Sequence, residues 1–411
     1  VVRTIRPTVD ELIFLKRTVA ELKRQLKKAT KREVVLAGSV AKDTFLAAEG
    51  DIDLFILFKE KRSKEEMKKE LVQIFKKAFP RTAYQMNYAE HPYIRFHWSG
   101  KKVDLVPAYK MSVGEQLLTA VDRSVLHTKY ILAQLRKNQQ DEVRLLKKFL
   151  KSAGLYGAEI KTEGFSGYLC ELLIIRYGSF SRLLRAASAW KLPVIIDLKN
   201  YHKKADYELL VKKFSRQLIV IDPTDKNRNV AAPISDENLK RFMAIAKQFT
   251  KKPSAAFFSR PQDFSSKVAA LKKKYAIAVI SFEKPPTVDD VLWGQLKKFM
   301  HSLEKILADF EVQQALADAD DLGTVRIAIV AKKKTAGGVI ELNGPPLEMK
   351  EHVANFKKAH VNCKFVKRSG RIIAYVRKPV KTLVEAVGEL TADAASRFSH
   401  LPLGSAAVEL A

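Results

Sequence analysis

The stretch Gly38-Ser39-Val40-Ala41-Lys42-Asp43-Thr44, followed by Asp51-Ile52-Asp53, constrains the fold more than any other part of this chain. An apolar run, Val34-Val35-Leu36-Ala37, delivers a Gly-Ser turn, and a second run, Leu54-Phe55-Ile56-Leu57-Phe58, begins directly after the aspartates. The implied order is strand, phosphate loop with helix, acidic strand. Side chains alternate along a strand, so Asp51 and Asp53 share one face while Ile52 turns to the core. Two like charges on one face repel unless a cation lies between them, and Mg²⁺ suits hard carboxylate oxygens and substrate phosphates together. Gly38 lets backbone N–H groups approach a phosphate, Ser39 adds a hydroxyl, and a helix starting there adds a favourable dipole.

Alone, a Gly-Ser pair is a turn and an Asp-x-Asp is a cap or a solvated strand edge. A third carboxylate changes the reading. Asp104 lies between Val103 and Leu105 in an apolar strand, where an unpaired charge is costly.

Gly-Ser, Asp-x-Asp a dozen residues on and a single Asp on a later strand resemble the catalytic signature of the polymerase β-type nucleotidyltransferase superfamily. Four further stretches narrow the resemblance: Ala89-Glu90-His91-Pro92-Tyr93, Val121-Asp122-Arg123, Gly164 to Leu173, and Asp222-Pro223 leading to Arg228-Asn229-Val230-Ala231-Ala232. Together they are similar to the class I, archaeal-type CCA-adding enzymes, which are tRNA nucleotidyltransferases. The match runs from about Val34 to Ala232 and is architectural beyond. It implies template-independent addition of CCA to the 3′ end of tRNA from CTP and ATP, with Mg²⁺ as cofactor and pyrophosphate released. On that resemblance Asp51 and Asp53 would hold the metal ions, and Asp104 would share the one that activates the RNA 3′-hydroxyl. Positions matching His127, Lys147 and Tyr156 would contact the nucleotide, beside Gly38, Ser39 and Lys42 at the triphosphate, and Arg228 would read the base edge. The family usually has Arg where this chain has Lys42, so a two-pronged phosphate grip becomes a point charge.

Charge agrees with a nucleic-acid partner. Seventy-four basic against 45 acidic residues among 411 give a formal net charge of +29. Such an excess implies an anionic partner, although a lysine-rich proteome or a salt-adapted surface also raises the count. The two cysteines, Cys170 and Cys363, are far apart without metal-type spacing. No apolar run approaches membrane-spanning length, and no signal peptide is visible, so a reducing cytoplasm is expected. The chain opens at Val1 without Met, so a short native start is expected before it.

Along the chain, Thr8-Val9-Asp10-Glu11 reads as a capping box ahead of a helix with an apolar stripe at Leu12, Leu15, Val19, Leu22 and Leu26. Ser63 to Glu66 opens another capped helix. Residues 84–88, 93–98 and 102–107 read as strands with Ser99-Gly100 as a hairpin turn. His91-Pro92-Tyr93 is either a rigid turn or a segment flanking the site. From Val113 to about Thr250 the pattern is helical. Helix 141–152 presents Arg144, Lys147, Lys148 and Lys151 opposite its apolar residues, ordinarily a solvated face. Asp222 to Asn229 reads as a polar loop; Arg228 there either offers its planar fork to a base edge, caps a helix, or pairs with Asp222 or Asp225. Beyond a boundary near Lys251-Lys252-Pro253 and the loop from Arg260 to Ser266, a βαββαβ order suggests a ferredoxin-like or RNA-recognition-like module. That module is read as strands near 275–282, 325–331, 339–343, 361–367 and 371–377 with helices 287–310 and 348–359, followed by an amphipathic helix from Lys381.

The expected class is therefore α+β and multidomain: a nucleotidyltransferase head with a mixed sheet (1–112), a helical nucleotide- and tRNA-binding domain (113–254), and a C-terminal α+β tRNA-binding body and tail (255–411). A homodimer stays open. The enzyme rivals are a poly(A) polymerase or an oligoadenylate synthetase-like enzyme, which share the head and use ATP almost alone. A purely RNA-binding protein with a retired head is the rival from another class.

Overall fold

The computed structural model describes residues 1–88, 92–111, 121–259, 263–320 and 323–411. It divides into two units, Val1–Pro261 and Gln262–Ala411. His91, the start of the middle segment at Val113 and Arg260 lie outside the described residues.

The first unit opens with α1 (Val2–Ile5) and α2 (Val9–Ala29). The Thr8 hydroxyl caps α2 by accepting from the Glu11 N–H at 3.1 Å. Glu11 does not complete the capping box; its carboxylate accepts from the Ala48 N–H at 3.0 Å, tying the helix start to the segment before the acidic strand. Next come β1 (Glu33–Ala37), α3 (Gly38–Ala41), β2 (Ile52–Phe58), α4 (Lys64–Ala78), β3 (Tyr84–Tyr88), β4 (Pro92–Trp98) and β5 (Lys101–Tyr109). The sheet runs β1-β2-β5-β4-β3, with β2 and β5 parallel and the other pairs antiparallel. Ser99 and Gly100 both have positive φ, 49° and 74°, the conformation a two-residue hairpin turn needs. The apolar stripes of α2 (Leu15, Leu22, Leu26) and α4 (Met67, Leu71, Phe75) bury one face of the sheet through Ile52, Leu54 and Ile56. Ser63 and Glu66 form the expected reciprocal cap of α4.

The same unit continues with α5 (Arg123–Gln134), α6 (Gln140–Ser152), α7 (Gly167–Tyr177), α8 (Phe180–Ser188), β6 (Val194–Asp197), α9 (Tyr207–Phe214), β7 (Leu218–Asp222), β8 (Asp225–Asn229) and α10 (Asp236–Lys251). Its core gathers Phe149 of α6, Leu169, Leu172 and Leu173 of α7, and Phe242 of α10. Two readings are corrected here. The polar loop 222–229 is a hairpin, β7–β8, because Leu218-Ile219-Val220-Ile221 is a β-branched run that buries on both faces and pairs with β6. The basic stripe of α6 is not a solvated face: Arg144 and Lys147 are buried, each only 3% exposed. They satisfy carbonyls of the loop after α3, Arg144 those of Asp43 and Phe45 and Lys147 that of Thr44.

The second unit contains α11 (Phe264–Lys272), β9 (Ala276–Glu283), α12 (Asp289–Ile306), β10 (Val312–Ala319), β11 (Thr324–Ala331), β12 (Thr335–Pro346), α13 (Lys350–Ala359), β13 (Lys364–Arg368), β14 (Arg371–Thr382), α14 (Leu383–Ala394) and β15 (Ala407–Leu410). The antiparallel sheet β10-β11-β9-β15 has α12 and α14 on one face, which is the ferredoxin-like order, 2-3-1-4. The elements filling that order differ from those expected. Strands β12, β14 and β13 with α13 form a separate three-stranded sheet inserted between β11 and α14, and the module is closed by the last helix and the last strand. Two strands escaped the reading because Val312–Ala319 carries three alanines with weak alternation and Ala407–Leu410 is only four residues long.

Candidate active site

At the sheet edge, Ala37 of β1 stands opposite Asp53 of β2, and Asp53 stands in register with Asp104 of β5. Gly38 follows Ala37 with φ +70°, and a Cβ there would lie 1.8 Å from Asp53 Oδ2. Only glycine meets both conditions, the left-handed backbone and the close approach of a carboxylate. The helix that starts at this glycine is a single turn, shorter than the sequence implies, because Asp43 turns the chain with φ 52°.

The three aspartates reach one edge in different surroundings. Asp51 precedes β2, is half exposed and pairs with Lys102. Asp104 is held by both prongs of Arg95, its register partner on β4, with Nε to Oδ1 at 2.7 Å and Nη2 to Oδ2 at 2.8 Å. Burial pushes the Asp53 carboxyl up to about 7, and the charges of Asp104 and Asp51 push the same way. Among the described residues no three His, Cys, Asp or Glu side chains gather as one metal-holding group. The donor set nonetheless fits a hard divalent cation: carboxylates in register on adjacent strands whose charges oppose one another, beside a glycine that leaves room for the Asp53 carboxylate.

Lys42 and Lys147 come together around a residue the sequence reading missed. Glu171 of α7 is fully buried and accepts from Lys42 Nζ at 2.6 Å and Thr44 Oγ1 at 2.6 Å, with Lys147 Nζ 4.0 Å away. Burial pushes the Lys147 ammonium down. Gly167, opening α7, lies against this group, since a Cβ there would meet the Tyr156 hydroxyl at 3.0 Å and the Lys147 side chain at 3.7 Å. Glu171 was legible as a lone acid within an apolar helix, a position that demands a paired cation.

His127 and Arg228 meet on a second buried acid. Asp222, ending β7, accepts from His127 at 2.8 Å and from Arg228 Nη1 at 2.9 Å. Of the alternatives for Arg228, its side chain forms the pair with Asp222 and keeps 32% exposure. Burial pushes the His127 imidazole down, against the opposite pull of Asp222. Asp122, singled out by the sequence, is structural in its observed contact: it accepts from the Tyr109 N–H at 2.7 Å and joins the end of β5 to the start of α5.

Three family models match successive parts of the chain. A family model described as "Nucleotidyltransferase domain" matches residues 15–127. "tRNA nucleotidyltransferase, second domain" matches 141–259, and "CCA-adding enzyme, C-terminal domain" matches 273–397. A CCA-adding enzyme from Methanocaldococcus jannaschii is 37% identical over 367 residues, spanning 86% of this chain and 79% of the relative. The chain belongs to the CCA-adding enzyme family. Relatives of the same name from Pyrobaculum neutrophilum and Thermoplasma acidophilum are each 36% identical, over 84% of this chain and 80% and 77% of their own lengths. A solved structure of Cid1, described by its RNA terminal uridylyl transferase activity, has a TM-score of 0.50 at 13% identity and covers 64% of this chain and 96% of its own. That likeness concerns the fold. Among the described residues no helix is long and apolar enough to cross a membrane.

Proposed function

We propose that this member of the CCA-adding family extends the 3′ end of tRNA with C, C and A, using CTP and ATP. The observation that carries the reading is the register of Asp53 with Asp104 behind the Gly38 turn, in a chain that carries all three segments of the family. Asp51 and Asp53 would hold Mg²⁺ and Asp104 would share it, which supplies charge stabilisation at the attacking and leaving oxygens of the α-phosphate. Arg95 and Lys102 pair with Asp104 and Asp51 and balance their charge. Gly38 and Ser39 offer backbone and hydroxyl donors to phosphate oxygens. Lys42 and Lys147 gather at Glu171 and place two amines beneath that loop. Tyr156 walls the same group, while His127 and Arg228 contact the nucleotide, Arg228 at the base edge. Residues 1–112, 113–254 and 255–411 divide these tasks as catalytic head, nucleotide-binding domain and tRNA-binding body.

Incorporation into a tRNA lacking its last three residues tests this, with each triphosphate alone and then combined. Two additions from CTP and a third only with ATP are expected. ATP-only tailing would move the chain to the poly(A)-type rivals, and tight tRNA binding without incorporation to a binding protein.

A further inference from the structure

We propose that Asp222 is the positioning residue of the nucleotide pocket, a buried fixed acceptor that sets the His127 ring and the Arg228 guanidinium in their working orientations. The assignment rests on reading His127 and Arg228 as nucleotide contacts.

Four elements converge on this carboxylate. His127 comes from α5, Tyr168 from α7, Asp222 from β7 and Arg228 from β8. The two oxygens have separate partners. Oδ1 accepts from the Thr224 N–H at 2.9 Å, the Thr224 hydroxyl at 2.8 Å and the Tyr168 hydroxyl at 3.2 Å. Oδ2 accepts from His127 Nε2 at 2.8 Å and Arg228 Nη1 at 2.9 Å. The Thr224 bonds close the β7–β8 turn and account for a local structural role. The Oδ2 bonds serve no turn; they reach two side chains far apart in sequence from each other.

The chemistry at Oδ2 is directional. An ionised carboxylate is acceptor-only, so His127 presents Nε2–H to it, which fixes the tautomer. The Tyr168 ring stacks on the imidazole with centroids 3.7 Å apart and planes 14° from parallel. One bond in the ring plane and one ring against its face leave the imidazole little freedom. Arg228 is planar, so anchoring Nη1 orients the rest of its fork. Asp222 is fully buried, and burial alone would raise its carboxyl, but the bonds from His127 and Thr224 outweigh that and hold it far below the usual range. Arg228 is its charged partner.

Asp222→Asn separates the two roles. Its amide oxygen can retain the Thr224 bonds on the Oδ1 side, while its NH₂ on the other side cannot accept from His127 or Arg228. Steady-state kinetics with CTP and with ATP on tRNA lacking CCA, combined with ¹⁵N spectra of labelled histidine, read the outcome. We expect KM for both nucleotides to rise about 10- to 100-fold, the usual effect of losing a charge-assisted bond, with a smaller change in kcat and displacement of the His127 ring signals from the Nε2–H pattern. Gln139→Ala, which removes buried bonds to the Ile174 and Gly178 carbonyls in the same domain, serves as a destabilised control whose KM stays at the parental value. If Arg228→Ala raises KM but Asp222→Asn leaves both KM and the His127 signals unchanged, the positioning role is overturned and the nucleotide reading survives. Unchanged KM in both Arg228→Ala and His127→Ala overturns the nucleotide reading and this assignment with it. Should Asp222→Asn fail to fold, Tyr168→Leu removes the stack and its hydroxyl: raised KM with moved His127 signals supports the role, and neither change overturns it.

Discussion

Gly38 and Asp53 are a matched pair at the scale of single residues. The glycine gives the turn its positive φ and simultaneously leaves room for a carboxylate that a Cβ would overlap. Gly38→Ala must therefore displace the Asp53 carboxylate, and an ångström-scale misplacement costs about 100-fold in rate. Incorporation into tRNA lacking CCA should fall by at least that factor while the circular dichroism spectrum stays parental. Asp53 itself makes stability depend on pH. Its carboxyl, raised to about 7 by burial and by two neighbouring acids, binds its proton more tightly folded than unfolded. Stability is therefore lost as pH rises from the ordinary carboxylate range, about 4, towards 7, and is level above that. In chelator, Asp53→Asn should melt higher than the parent at pH 8, by on the order of 2 kcal/mol, and differ much less at pH 5. Equal shifts at both pH values would show that the carboxyl is not raised.

At the scale of elements, amphipathic stripes and caps located most helices, because burial of an apolar face and satisfaction of the first N–H groups are local demands. The stripe of α6 shows the limit of that logic. A row of Arg and Lys on a helix looks solvated in sequence, yet Arg144 and Lys147 are buried against carbonyls about a hundred residues away in the chain. Likewise β15 carries almost no signal, being four residues in an Ala-rich tail, but it covers the edge of β9 by pairing Ala407 with Ser281 through Leu410 with Ala278. Ending the chain at Ser405 should leave that edge open. Scanning calorimetry is expected to show a lower melting temperature, and light scattering more self-association. An unchanged melt would mean that β9 needs no covering strand.

For the larger unit, Val1–Pro261, the decisive contact is between the loop after α3 and the helix α7. Glu171 compensates Lys42 across 129 positions of sequence, with Lys147 beside them. Glu171→Gln would leave two buried ammonium groups facing one another without an anion. We expect a loss of about 3–5 kcal/mol in denaturant unfolding, as for other broken buried pairs, together with faster proteolysis between residues 44 and 140. A loss below 1 kcal/mol would place those lysines in water rather than in the interior.

The acidic strand, the Gly-Ser turn before it, the third aspartate on a later strand and the basic character of the chain were all readable before any contact was known. Those features are fixed by short-range periodicity and spacing, or by composition, which need no partner to be read. Only the tertiary structure decided that Arg95 holds Asp104, that Glu171 lies between Lys42 and Lys147, that Asp222 gathers His127 and Arg228, and which helix and strand complete the ferredoxin-like sheet. Each of these depends on which charges share a low-dielectric interior or which edge remains to be paired, and such pairings are set by burial between segments far apart in the chain.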